Sequence, residues 1–193
     1  YTSITNAISK VSGTGTVTML KNTTENFSVP SNKSITLNLN DKTVTVGSGT
    51  ISNAGTLTVN GNGSIVGVSV GNHAVSNSGK LNLQNAKIVS NTRGAIYNTG
   101  IFNMAATGTV EYYGSDTNWA AVDSRGTSNM LNIKGGTINA TGSGRAIFME
   151  NGSGQHYIAN ATITGNAGWA IYAVSGAKAT IEKCNISGPY GIY

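Results

Sequence analysis

Single polar residues separate paired apolar ones in short stretches along this chain, and the stretches recur at intervals of 21 to 28 residues. Successive copies run Lys33 to Gly55 (KSITLNLNDKTVTVGSGTISNAG), Thr56 to Gly79 (TLTVNGNGSIVGVSVGNHAVSNSG) and Lys80 to Gly100 (KLNLQNAKIVSNTRGAIYNTG). Three more end at Gly126, Gly154 and Gly176, and a partial copy reaches Tyr193. Each copy holds three alternations. The first is typified by Leu57/Val59, Leu81/Leu83, Leu131/Ile133 and Ile181, and the second by Ile65, Ile88, Val110, Ile138, Ile163 and Ile186. The third carries Ile51, Val75, Ile96, Val122, Ile147, Ile171 and Ile192. A period of two with β-branched enrichment predicts strands, and the Gly and Asn residues between them predict turns.

Three strands per copy, too short for hairpins or crossover helices, predict a chain wound as a coil. Each strand then pairs in parallel with its equivalent one turn later. The chirality of parallel connections makes the coil right-handed. The fold class is therefore all-β, a right-handed parallel β-helix. About eight coils, counting a less regular first one over Gly13 to Asn32, make a rod roughly 38 Å long. The extra residues of longer copies fall mostly before the third strand and predict a variable loop there. The pattern (Ile/Val)-x-Asn-x-Gly at Asn53, Asn77 and Asn98 predicts a stack of side-chain amides at one corner. The third-strand Ile/Val column should be the firmest part of the core.

A solenoid exposes unpaired strand edges at its ends, so caps are expected. Ile4, Ala7, Ile8 and Val11 lie at helical spacing behind Thr2 or Ser3 as N-cap, predicting a capping helix within residues 1–12. The β-helix then occupies 13–193. No comparable cap is seen at the carboxyl end, so the chain is expected to belong to a longer protein, or to have Tyr190 and Tyr193 cover its last coil. A start at Tyr1 without Met fits a processed protein or a fragment.

Composition narrows the class. Only 10% of residues are charged, with Gly 26 and Pro 2, yet the regular apolar positions exclude disorder. The formal charge is +5 and the twelve basic residues stand singly from Lys10 through Lys183. That scatter argues against a nucleic-acid partner and points at most to weak attraction to anionic glycans or cell walls. Cys184 is the single cysteine, so no internal disulfide forms, and it reads as a small buried hydrophobe. No apolar run approaches the roughly 20 residues of a membrane span.

The stretch SGTGTVTMLKNTTENFSVPSNKSITLNLNDKTVTV, followed by TISNAGTLTVNGNGSIVG, resembles the opening coils of pectate-lyase-like right-handed β-helix regions in bacterial surface proteins, many of them adhesin-like. The resemblance covers most of the chain and implies an extracellular or cell-surface location. It specifies fold better than activity, because such helices host lyases, hydrolases, tailspikes and adhesins. Where the family commonly has Leu-Asp-Leu-Asn-Gly-Lys, this chain has Leu37-Asn38-Leu39-Asn40-Asp41-Lys42, losing a carboxylate and a glycine at a turn.

The seven acids are Glu25, Asp41, Glu111, Asp116, Asp123, Glu150 and Glu182, and no spacing enforces the close carboxylate pair that glycoside hydrolysis needs. Acidic doublets for calcium are missing, and His73 and His156 read as lone surface or stacked polar residues, so neither metal nor cofactor is expected. The candidate site is instead aromatic. If Ile96, Val122, Ile147 and Ile171 point inward, Tyr97, Asp123, Phe148 and Tyr172 point outward, with Trp119, Arg145 and Trp169 just before the strand and Arg93 one coil earlier. Such a strip would bind glycan or a host or microbial surface protein. An alternation misread by one residue would turn half the rings inward. The expected function is a non-catalytic, adhesin-like surface module; the alternative is a polysaccharide-degrading β-helix enzyme. Thr-x-Thr pairs at Thr16/Thr18, Thr43/Thr45, Thr56/Thr58 and Thr162/Thr164 fall out of register in this reading, which argues against an ice-binding array.

Overall fold

A computed structural model of the chain describes residues 1–150, 155–174 and 176–193. It is a right-handed parallel β-solenoid of about eight coils with three parallel sheets. Among the described residues each sheet has eight strands, and every strand between the two end coils pairs with its equivalents in the coils below and above. The pairing follows the sequence columns. Leu57, Leu81, Phe102 and Leu131 stack in the first sheet. Ile65, Ile88, Val110, Ile138, Ile163 and Ile186 stack in the second. Ile51, Val75, Ile96, Val122, Ile147, Ile171 and Ile192 stack in the third.

From Ile51 to Ile171 the third-sheet column is fully buried. Burying each such side chain contributes about 1.5–3 kcal/mol against exposure. Position in the stack decides burial as much as residue type does. Ile192 occupies its predicted register but has no coil above it and is 54% exposed. Ile181 and Ile186 are half-buried for the same reason. Cys184 is also half-buried rather than buried, its Sγ facing the carbonyls of Ile158 and Glu182.

The corner after the third strand explains the Asn-x-Gly pattern. Asn53 Nδ2 donates to Asn77 Oδ1 at 2.6 Å, and Asn77 Nδ2 donates to Asn98 Oδ1 at 2.7 Å. Asn98 Nδ2 ends the ladder on Ser124 Oγ at 3.2 Å. All four residues are buried. The glycines two positions on are required by close approach. A Cβ on Gly79 would overlap the carbonyl oxygen of Gly55, and one on Gly100 that of Gly79. The corner is therefore tight for three coils and lengthens to residues 125–129 once Ser124 replaces the asparagine. Longer turns also precede the third strand, at residues 68–74 and 113–119, as the copy lengths predict.

The capping helix spans Ile4–Lys10, with Ser3 Oγ accepting from the Asn6 N–H. Its Ile4, Ala7 and Ile8 are buried over the first coil. Both ends are pinned by opposite charges, one from that coil and one from the start of the next. Glu25 accepts from the Ile4 and Thr5 N–H groups at 2.8 Å each, and Lys33 Nζ donates to the carbonyls of Ile8 and Ser9 at 2.5 and 3.2 Å. This arrangement complements the helix dipole and the orphan backbone groups of a helix too short to stand alone. Burial, the largest influence on Glu25, raises its pKa, but hydrogen bonds from the Thr5 hydroxyl, the Thr5 N–H and the Ile4 N–H together bring it below the ordinary value.

One feature of the first sheet departs from the sequence reading. Thr16, Thr36 and Thr58 do fall in register, flanked by Thr14, Ser34 and Thr56. The threonine column stops there and continues as Asn82, Asn103 and Asn132, whose amides form a second, half-buried ladder at 2.7 and 3.2 Å. The hydroxyl array is thus three coils deep.

Two outcomes test this account. Gly79→Ala should lower stability by roughly 3 kcal/mol, because a backbone carbonyl cannot yield as a side chain can; a urea midpoint like that of wild type would refute the stacking argument. Glu25→Gln should remove an acid-sensitive component of stability. The folded carboxyl titrates lower than the unfolded one, so its contribution is complete above the unfolded pKa of about 4.3 and is lost as pH falls through the folded value. Thermal melts from pH ~6 downward should therefore fall less steeply for the variant than for wild type.

Candidate functional site

Outward positions of the third sheet form one column: Ser52, Ser76, Tyr97, Asp123, Phe148 and Tyr172. The step from small serines to rings leaves a groove of about 400 Å³ beside Tyr97. The lengthened turns supply its walls, with Asn72 and His73 from one coil, Arg93 from the next, then Trp119 and Arg125. Thr50 and Ser76 add hydroxyls to the lining.

Of the two alternatives expected for His73, surface or stacked, the structure shows a ring packed against two others. His73 is 7% exposed, with its ring 5.2 Å from that of Tyr97 and 5.5 Å from that of Trp119. Room for it comes from Gly94 in the next coil, where a Cβ would sit 2.8 Å from His73 Nε2. That nitrogen lies 3.5 Å from Asp123 Oδ2 and makes no hydrogen bond. His73 precedes its strand, in a turn where period-two alternation assigns no direction.

Asp123 stands in the expected register and leaves the sheet on the outer side, but it is fully buried. Arg125 covers it, donating from Nε to Oδ1 at 2.6 Å and from Nη2 to Oδ2 at 3.3 Å. A carboxylate withdrawn from water persists only when paired in this way. Arg125 also reaches Glu150 Oε1 at 3.5 Å and lies 4.3 Å over the Phe148 ring. Burial, the largest influence on this guanidinium, favours the neutral form, but the Asp123 and Glu150 carboxylates outweigh it and hold the group cationic. The two acids thus share a cation although no sequence spacing implied it.

Above the groove the strip continues as a packed stack rather than a bare apolar face. Phe148 is only 6% exposed, with Arg125 and Arg145 over it at 4.3 and 5.3 Å. Tyr172 lies between Phe148 and Tyr193, with ring centroids 5.8 and 4.8 Å away, and carries Arg145 at 4.3 Å. Trp169 packs against Tyr190 and Tyr193. The structure therefore gathers all the predicted strip residues on one face, places Tyr97, Trp119 and Arg93 at the groove, and shields Asp123 and Phe148, which were expected to face solvent. Arg125 and His73 were not foreseen.

His156, expected as a surface or stacked polar residue, is fully buried. Its Nδ1 accepts from the Leu131 N–H at 3.1 Å, which places the proton on Nε2, 3.4 Å from the Glu150 carbonyl. Burial, the dominant influence, lowers its pKa, so the ring is neutral near pH 7 and serves as a corner clamp. The scattered positive charge of the sequence is also partly gathered in space, since Arg93, Arg125 and Arg145 meet on this one face.

A second groove, of about 550 Å³, follows the seam between the capping helix and the first coil, lined by Ile4, Val17, Met19 and Leu20 among others. Its one carboxylate, Glu25, is committed to the helix N-terminus. Among the described residues no group of three or more His, Cys, Asp or Glu side chains could hold a metal ion. None of the described helices is long and apolar enough to cross a membrane. The chain matches no protein-family model, no curated protein and no solved structure.

Arg125→Met should cost about 2–4 kcal/mol, because it strips a buried carboxylate of its main partner. The double variant with Asp123→Asn should recover much of that loss. Chemical denaturation of the single and double variants measures the coupling; additive effects would show that the pair does not stabilise the groove floor.

Proposed function

We propose that this chain is a non-catalytic, extracellular surface module, adhesin-like, whose rigid pectate-lyase-like β-helix presents the groove beside Tyr97 as a glycan-binding site. The observation that carries the reading is the company Tyr97 keeps. It is a half-buried ring at the edge of a roughly 400 Å³ groove, with the hydroxyls of Thr50 and Ser76 and the amide of Asn72 nearby. Concave sites with an apolar platform and a few convergent polar groups are the usual form of a small-ligand site. Sugars suit such a surface because their C–H faces pack on rings while their hydroxyls need donors and acceptors. The parallel strands carry Ser76 and Tyr97 and anchor the turns that bring Thr50 and Asn72 to the groove.

One observation favours a second reading, a polysaccharide-degrading enzyme. The buried Asp123 lies 3.5 Å from His73 Nε2 at the groove wall, a placement that could orient an imidazole for proton transfer.

One experiment separates the two. Wild type and Tyr97→Ala, both checked for folding by circular dichroism, are applied to a glycan array, and bound glycans are then assayed for cleavage products. Binding without products that falls at least tenfold in Tyr97→Ala supports the module. Product formation abolished by His73→Ala supports the enzyme, and unchanged binding in Tyr97→Ala removes the groove from both.

A further inference from the structure

Resting on the glycan-binding reading, we infer that the groove selects a sugar bearing an anionic group, with Arg93 as the residue that reads the charge. The chain has three arginines, at positions 93, 125 and 145, far apart in sequence. All three converge on the third-sheet face, each lying over an aromatic ring: Arg93 over Trp119 at 3.7 Å, Arg125 over Phe148 at 4.3 Å and Arg145 over Tyr172 at 4.3 Å. A guanidinium resting over a ring is held there by attraction to the ring's π face, so it is partly positioned before a ligand arrives.

The three are not equivalent. Arg125 is neutralised by Asp123 and Glu150. Among the described residues Arg93 has no carboxylate within ion-pair distance, and its Nε is buried without a hydrogen-bond partner. A second unpartnered donor or acceptor, His73 Nε2, lies on the same groove, in a side chain 93% buried by its 7% exposure. Buried nitrogens without partners are uncommon and mark places where a bound group completes the hydrogen bonding. The groove lining contains Arg93, Arg125 and His73 but no carboxylate, because Asp123 lies beneath it with both oxygens engaged. A ligand therefore meets the uncompensated guanidinium of Arg93 at the wall and hydroxyls at the rim.

A nucleic-acid strand would also bring negative charge, but base stacking needs free ring faces. Here Trp119 is covered by Arg93 and His73, Phe148 by Arg125, and Tyr172 by Phe148, Tyr193 and Arg145. Apart from the single Tyr97 ring, the surface offers guanidinium groups rather than a run of ring faces, and the hydroxyl and amide rim matches sugar hydroxyls. Carboxylate and sulfate ester share the required chemistry.

The test is titration calorimetry on folded wild type and Arg93→Met, a substitution that keeps an unbranched chain over Trp119. Three probes are used: a heparin-derived octasaccharide, an oligogalacturonate, and a chemically desulfated, N-reacetylated, carboxyl-reduced heparin octasaccharide that carries no charge. The expected result is binding of one or both anionic probes, weakened at least tenfold in Arg93→Met and by raising salt, with the neutral probe bound weakly and equally by both proteins. Preference between the first two distinguishes sulfate from carboxylate. Equal affinity of wild type for charged and neutral probes, or an anionic affinity untouched by Arg93→Met, overturns the charge inference while leaving glycan binding intact. Failure of all three probes to bind, together with a silent glycan array, overturns both. Tighter binding of a single-stranded oligonucleotide than of any glycan, lost in Arg93→Met, would replace the sugar by nucleic acid.

Discussion

No strand of this protein is complete by itself. Each strand between the end coils has its hydrogen bonds and its buried face satisfied by the coils immediately below and above, so the parallel register between neighbours is the constraint from which the remaining features follow. A slip of one residue would turn a strand's apolar set outward, and the side chains that prevent it sit at a corner. The amides of Asn53, Asn77 and Asn98 form a continuous buried chain, and the glycines beside them let the backbone of each coil rest on the carbonyl below. This is a local, repeated solution to a global alignment problem, with every layer checked against its neighbour.

The groove arises where that repetition lapses. At Ser124 the asparagine ladder ends, the corner after it lengthens, and Arg125 emerges to cover Asp123. One and two coils earlier the third-strand approach carries Arg93 and His73, and Gly94 leaves the space that the imidazole fills. Regular layers thus provide stiffness, and a few irregular turns on one face provide chemistry. The polar groups they bring are buried by each other, as in the chain from His73 through Asp123 and Arg125 to Phe148.

Most of the scaffold was legible in the sequence because period-two alternation specifies direction and the repeat specifies neighbours. The columns, the capping helix behind Ser3, the asparagine ladder and even the alignment of Tyr97, Asp123, Phe148 and Tyr172 follow from those two regularities. Burial on the outer face was not legible. Whether Asp123 or Phe148 meets water depends on Arg125, which lies beyond the strand end, and a flexible side chain's destination is not encoded in alternation. His73 was unreadable for a related reason, since its turn varies in length from coil to coil. Three of the twelve singly spaced cations, Arg93, Arg125 and Arg145, still share one face, which linear spacing could not reveal. At the far end, Ile192 shows that a core-type residue is exposed when nothing is stacked upon it.

The separation between the amide corner and the turns before the third strand has an evolutionary reading. Residues 68–74 and 113–119 can gain or lose length without disturbing Asn77 or Gly79, because those positions lie on the opposite side of the strand. A lineage built on this frame is free to exchange its recognition loops coil by coil, much as antibodies vary loops on a constant sandwich. The same partition offers a designer graft points before the third strand, with His73 marking where such a turn is tied to the coils above it.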